Sequence, residues 1–437
     1  AASDVYKRQG LPLVLIYHSA RVLAGLALLL AVYAFAAHLT DDLRERRLAF
    51  WLVGISAGLG WLGAALGRLP VDLVVPEAFA LFSILSNPHF PLAMALMLVI
   101  LMGVVWPARG VRRWLSPGLA ALALVLVHPL GLIPIGATVA AYLVLRTWLD
   151  RKLPLAELTA ALGVGLFSGP LLLYGYRIYT TNPAMSAWAT QNVTPAPHTL
   201  DLALGFGLVG LLAIPGAMIA VRERDRGGLA LVTWCMVTLI LVYMPFALQR
   251  RMLTGLVTPL ALLATMGLSR WLLPVLSAGR ARLVSVMVVG FSALGALFLL
   301  VVLTAGVLNR DRQSDLFARL YLSRDEVPAM QWLLSHAQDE IVLASPRTGM
   351  LLPGRSGVRV FVGHPFETID AEAKEAQVEA FFRGEMLYEE WQALQEQYQI
   401  HYLFVGPAER ALGDGGEQLL EIAPAYQQGD VTIYRLP

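Results

Sequence analysis

The chain has 437 residues, 57% of them hydrophobic and 15% charged, with a formal net charge of +2. Ordinary soluble domains carry about 25% charged residues, so this composition excludes a soluble globular protein. Basic residues scattered over short loops exclude a nucleic-acid patch, and the lone Cys235, inside an apolar run, excludes an intrachain disulfide.

The first stretch, Ala1 to Gln9, is polar, unpatterned and joined abruptly to an apolar segment. Residues 1–10 are read as an artefact or a disordered end and set aside from fold reasoning, with the natural protein beginning further upstream. Ten apolar segments follow, at 11–38, 48–67, 91–107, 115–128, 130–146, 155–176, 201–221, 229–247, 253–274 and 283–308. Crossing a hydrocarbon core of about 30 Å takes roughly 20 helical residues, and the fourth and fifth segments fall short of that. They do not merge into one helix, because His128-Pro129 and Pro134 interrupt them. Proline removes a backbone donor and clashes with the preceding turn.

The charges between the segments set the orientation. Fourteen basic residues occupy the loops 39–47, 108–114, 146–152, 222–227 and 276–282. The intervening loops hold only four, Arg68, Arg177, Arg250 and Arg251. The positive-inside rule makes the first set cytoplasmic and the second external. From about residue 311 helical spacing at 326–337, 370–382 and 388–398 alternates with strand-like runs at 341–344, 358–362, 401–405 and 431–434. The fold class expected is mainly α: a polytopic transmembrane bundle over 11–310 and a C-terminal extracytoplasmic α/β domain over 311–437.

Four constellations carry candidate chemistry. The loop from Arg68 to Phe90 is too apolar for a solvated loop and too rich in proline for a span, which is the texture of a segment lining a cavity at membrane level. Asp72, Glu77, Asn87 and His89 then face that cleft; alternatively the segment lies in the interface with its acids in water. His128 is costly in lipid unless partnered, so it faces a cavity or caps carbonyls freed by Pro129. His18 and Arg21, at i,i+3, share a helix face that points into the cavity or snorkels to the interface. Gln249, Arg250 and Arg251 break the positive-inside rule in a very short connection. Their guanidinium forks suit a phosphate or pyrophosphate, or simply anionic headgroups. In the C-terminal domain His364 and Glu367 have metal-ligand spacing without a third ligand, so a loop turn is the plainer reading and no metal site is assigned.

The segments Tyr17-His18-Ser19-Ala20-Arg21, Pro76-Glu77, Asn87-Pro88-His89-Phe90, Val127-His128-Pro129, Gln249-Arg250-Arg251 and Gly363 to Thr368 together resemble bacterial polytopic glycosyltransferases of the C-type (GT-C) superfamily, in particular family 39-like and mannosyltransferase-like members. The resemblance implies a multi-pass protein of the inner, or plasma, membrane. It implies transfer of a sugar from a polyprenyl-phosphate donor to a lipid, glycan or protein acceptor at the outer membrane face, and it leaves a divalent metal open. It casts Gln249, Arg250 and Arg251 as the donor-phosphate site. In this superfamily the catalytic acids usually follow the first span, which here would precede residue 10, so the chain is expected to be truncated at its N-terminus. Asp72, Glu77 and His89 are the catalytic candidates that remain. Two other classes stay open: a transporter or flippase of lipid-linked glycans, which would show internal repeats, and a non-catalytic membrane scaffold.

Overall fold

In a computed structural model of the chain, residues 13–308, 322–418 and 422–437 are described. The stretch 1–10 and the expected domain boundary near 311 lie outside the described residues. The chain divides into two compact units: Leu11–Tyr179 with Val193–Val302, and Thr180–Asn192 with Leu303–Pro437.

The first unit is a helical bundle. Each of the ten predicted apolar segments coincides with helix. Among the described residues, seven helical stretches are long and apolar enough to cross a membrane: Val14–Leu39, Leu43–Ala65, Pro129–Asp150, Leu155–Thr181, Thr199–Glu223, Gln249–Val275 and Ala278–Leu308. His89–Val105 and Arg226–Val242 are apolar but shorter, and Arg112–Val127 has 16 residues. The seven therefore fall below the expected count of about ten by length rather than by loss of helix.

The break expected at His128-Pro129 is present. Helix ends at Val127, His128 takes φ −154° and ψ 78°, and after one tight turn the next helix starts at Leu132. Pro134, expected to contribute to the break, instead sits in the first turn of the helix Leu132–Asp150. There a missing N–H costs nothing, since the first turn has no carbonyl to bond. The loop 68–90 is more ordered than a loop reading suggests, with short helices at Val71–Val74 and Ala80–Ser86 and a 3-10 turn at Pro76–Ala78.

Helices Thr199–Glu223 and Val257–Gly267 approach closely through glycine. A Cβ at Gly216 would collide with the carbonyl of Leu263, and one at Gly267 with the carbonyl of Leu212. Small residues at the crossing let backbones touch where lipid offers no hydrophobic drive to association.

The second unit contains a five-stranded sheet in the order β2-β1-β3-β5-β4: β1 Ile341–Leu343, β2 Arg359–Val360, β3 Ile400–Val405, β4 Tyr426–Gln428 and β5 Val431–Arg435. β1, β2 and β3 are parallel, and β5 and β4 are antiparallel to their neighbours. Alternation along β3 serves two cores. Tyr402 and Phe404 pack with Met330, Leu333 and Leu352, while Leu403 and Val405 pack with Phe381, Phe382 and Trp391. A strand covered on both faces in this way reads as a continuous apolar run. The helix Pro346–Ser356 and the strand β4 are additions to the expected elements, and the predicted strand at 358–362 is only two residues long.

If the glycine crossing holds the bundle, Gly216→Ala should destabilise the detergent-purified chain by about 1–3 kcal/mol, the usual cost of overpacking. Gly136→Ala, where an added Cβ meets nothing within 4 Å, should not. Thermal unfolding midpoints of the two variants decide the matter, and equal midpoints would mean the crossing has room to spare.

Candidate functional site

Two 3-10 turns, Pro76–Ala78 and Gln249–Leu253, carry the central residues of the site. They are stitched together at the backbone, where Gly255 N donates to the carbonyl of Glu77 at 2.8 Å. Gly255 has φ +74°, a conformation that glycine adopts without strain. On this scaffold Arg251 Nη1 meets Glu77 Oε1 at 3.1 Å, with the Glu77 side chain 2% exposed and that of Arg251 30% exposed. The buried Thr254 Oγ1 donates to the carbonyl of Arg251 at 2.7 Å and lies 3.4 Å from His128 Nε2. The His128 ring is 5.8 Å from that of His89, and Phe90 meets it edge-on at 5.5 Å. Glu77, Arg251, Thr254 and His128 are thus linked by polar contacts, with the His89 ring packed beside His128.

Arg250 and Gln249 face a different neighbour. The segment 193–196 runs alongside 247–250: Thr194 N donates to Ala247 O at 2.7 Å, and Arg250 N to Thr194 O at 3.0 Å. Gln249 completes the splint, accepting from Ala196 N at 3.0 Å and donating to Met244 O at 2.8 Å. Both ends of its amide are therefore engaged with backbone. Arg250 is half-buried. Its Nε is buried without a hydrogen-bond partner, and it forms no ion pair among the described residues, whereas the charge of Arg251 is matched by Glu77.

The remaining predicted residues lie elsewhere or serve the scaffold. The carboxylate of Asp72 is 2% exposed and accepts from Gly58 N and Gly60 N, each at 2.9 Å. Burial pushes its carboxyl up to about 6 against the lowering influence of those two N–H groups. It does not join the Glu77 cluster. Arg21 donates to Leu85 O at 2.7 Å, and the Tyr17 hydroxyl donates to Ser86 O and lies 3.1 Å from Asn87 Oδ1. These residues cap the carbonyl end of the helix Ala80–Ser86, a structural task. His18 is exposed. His364 and Glu367 belong to the second unit, where His364 Nδ1 accepts from Phe366 N at 3.2 Å and Glu367 Oε2 from Trp188 Nε1 at 3.2 Å. The turn is fastened further by Gln191, whose Nε2 donates to Thr368 O at 2.6 Å and whose Oε1 accepts from Asp370 N at 3.0 Å. Among the described residues no three His, Cys, Asp or Glu side chains gather as metal ligands.

Sequence reasoning missed Thr254 and Thr194. Thr254 lies three residues beyond Arg251, a spacing at which a hydroxyl reaches back to a carbonyl, but nothing local marks Thr194 as the partner of Arg250.

No family model matches the chain, and no curated protein matches it in sequence. Solved structures do match in fold. One is the Archaeoglobus fulgidus oligosaccharyltransferase complexed with Zn and sulfate, at 13% identity and a TM-score of 0.53 over 91% of this chain. The chain spans 58% of the length of that protein. Another is ArnT from Cupriavidus metallidurans. The apo structure gives 14% identity and a TM-score of 0.54 over 95% of this chain and 82% of ArnT. Its structure bound to undecaprenyl phosphate gives 15% and 0.53 over 95% and 83%. At such identities the likeness is one of fold, and with seven apolar helices it makes this chain a multi-pass membrane protein.

The Glu77–Arg251 pair gives a direct test of the site's architecture. Arg251→Met leaves a buried carboxylate uncompensated and should cost about 3 kcal/mol, the lower end for breaking a buried pair because Arg251 keeps some solvent. Adding Glu77→Gln should restore most of it. A double variant no more stable than the single one, measured by chemical unfolding in detergent, would show that Glu77 does not depend on this arginine.

Proposed function

We propose that the chain is an integral-membrane sugar transferase that uses a polyprenyl-phosphate-linked donor, with Arg250 as the principal phosphate ligand. The observation that carries the reading is the inequality of the two arginines: Arg251 is already matched by Glu77, and Arg250 holds a half-buried guanidinium with its Nε unpartnered. A phosphate supplies the missing charge and the missing acceptor at once. The fold shared with ArnT, which has been captured with undecaprenyl phosphate, and the resemblance to GT-C enzymes support the same reading.

In the reaction proposed, an acceptor hydroxyl attacks the sugar's anomeric carbon and the bond to the lipid phosphate breaks. Arg250 offsets the charge that develops on the departing phosphate. Glu77 keeps Arg251 in place and is too engaged to serve as a base. His89 is half-buried beside His128 and is the group in this cluster assigned to take the acceptor's proton. Gln249 acts through the backbone, holding the segment 193–196 against 244–250, and Asp72 has no part in the chemistry. The site faces outward by the loop-charge asymmetry, in the inner membrane, with the C-terminal unit on the same side.

The experiment is binding of undecaprenyl phosphate to the purified full chain, followed by transfer from a polyprenyl-phosphate sugar. Losing a charged hydrogen bond costs about 1.5–3 kcal/mol, so Arg250→Ala should weaken binding by roughly ten- to a hundredfold. Arg250→Lys should recover part of it, keeping charge but losing the fork. Parent-like binding by Arg250→Ala would remove the phosphate assignment. Separately, alkaline phosphatase fused after Pro437 should be active in cells, and an inactive fusion would reverse the orientation.

A further inference from the structure

Two membrane helices are interrupted where they meet a third. The stretch Leu43–Ala65 has the composition of a single span, yet its helix stops at Ile55 and restarts at Gly60. The helix Thr199–Glu223 is kinked at Gly207, where φ is 41° and ψ is −124°. The stretch Ala278–Leu308 passes the same place through Ala293, which keeps helical geometry and the bonds Ala293 N to Val289 O at 3.0 Å and Leu297 N to Ala293 O at 2.9 Å. The first break is bonded to both neighbours: Ala57 N donates to Ser292 O at 2.8 Å and Leu59 N to Leu204 O at 2.7 Å. Gly58 N and Gly60 N donate to Asp72 Oδ2.

These four donors are the ones a continuous helix would have returned to the carbonyls of Val53, Gly54, Ile55 and Ser56. The break thus satisfies its N–H groups and leaves its carbonyls without helical donors, at residues that are buried apart from Ile55. Three side-chain oxygens there also lack partners, one of them a carboxylate oxygen and two hydroxyls that can accept. Asp72 Oδ1, Ser56 Oγ and Ser292 Oγ are all buried without a partner, and Asp72 is 2% exposed. Beside Ser56, Ala57 and Asp72, under Phe79, Phe82 and Ala296, lies a cavity of about 10 Å³, room for about one water-sized sphere. Among the described residues no basic side chain pairs with Asp72.

A buried carboxylate oxygen without a partner, beside two unpartnered hydroxyls that can each accept and carbonyls without helical donors, suits a small cation. We propose that it binds a single small monovalent cation of the Na⁺ class, held by Asp72 Oδ1, the Ser56 hydroxyl oxygen and carbonyl oxygens released by the helix break. Unwound carbonyls and the carbonyl ends of half-helices are the groups that hold such ions in membrane proteins. A water would occupy the space and leave the carboxylate uncompensated. A proton on Asp72 would neutralise it and leave the carbonyls without partners. Mg²⁺ keeps several waters and Ca²⁺ takes about six to eight oxygen ligands, for which a space of about 10 Å³ leaves no room. The ion holds the broken helix Leu43–Ala65 to Asp72, and this role is independent of the transferase reading.

The test measures binding of radioactive ²²Na⁺ to the full chain in nanodiscs, and unfolding midpoints as choline chloride is replaced by NaCl at constant ionic strength. Saturable binding of about one ion per chain is expected, with a midpoint that rises and then saturates over the same concentrations. Asp72→Asn should abolish both responses. Ser56→Ala, which keeps the carboxylate and tests the site should Asp72→Asn fail to fold, should weaken Na⁺ binding on the order of tenfold. Equal midpoints in sodium and choline, absent ²²Na⁺ binding, or binding unchanged in Ser56→Ala would overturn the proposal. A midpoint that follows pH and ignores Na⁺ would overturn it in favour of a protonated Asp72.

Discussion

A backbone group released from its helix inside a bilayer finds no water, so each departure from helix in this chain needs a local partner. The structure can be followed by asking where those partners come from. At residues 57–60 they are Asp72 and the carbonyls of Ser292 and Leu204. At 80–86 they are the side chains of Tyr17 and Arg21. Between 193–196 and 247–250 the two segments and Gln249 satisfy each other. Polar residues at these places serve first as substitutes for the missing helical bonds, and only what is left over is free for a ligand.

That ordering explains which parts were legible in the sequence. The helices were, because each is a long apolar run ended by charge or proline, and the strands β1, β3 and β5 were, because both their faces are covered. The short elements of 68–90 were not, since four to seven residues carry too little periodicity to separate a helical turn from a loop. The breaks at Ser56–Leu59 and Gly207 were equally silent. Nothing but glycine marks them, and glycine also marks close helix crossings such as Gly216, where the helix continues.

The site was half legible for a related reason. Expense in lipid singles out Asp72, Glu77, His89, His128, Arg250 and Arg251, and all six have buried or half-buried positions. Expense does not say which expensive groups meet. Asp72 and Glu77 are five residues apart, on consecutive short elements, yet one stabilises a helix break and the other an arginine 174 residues further on. Both were candidate catalytic acids by position alone, and position does not distinguish these two surroundings. His18 shows the converse: adjacent to Tyr17, whose hydroxyl reaches Ser86, it is itself exposed.

The same reasoning applies to the two arginines. Read as a dipeptide, Arg250-Arg251 suggests two forks closing on one phosphate. The pair sits in a 3-10 turn, where successive side chains diverge by about 120° because the turn repeats every three residues. Neighbours in such a turn cannot share a direction, and here one turns to Glu77 while the other has no acidic partner among the described residues. The turn is held open on both sides, by Gly255 bonding to Glu77 O and by Thr194 bracketing Arg250 N, so the divergence is built into the backbone. A doublet of like charges, which repulsion would otherwise spread into solvent, is thereby resolved into one structural cation and one available cation. The second has its backbone fixed by Thr194, with Gln249 bracing the adjoining segment, so uncharged groups set where this arginine's main chain lies.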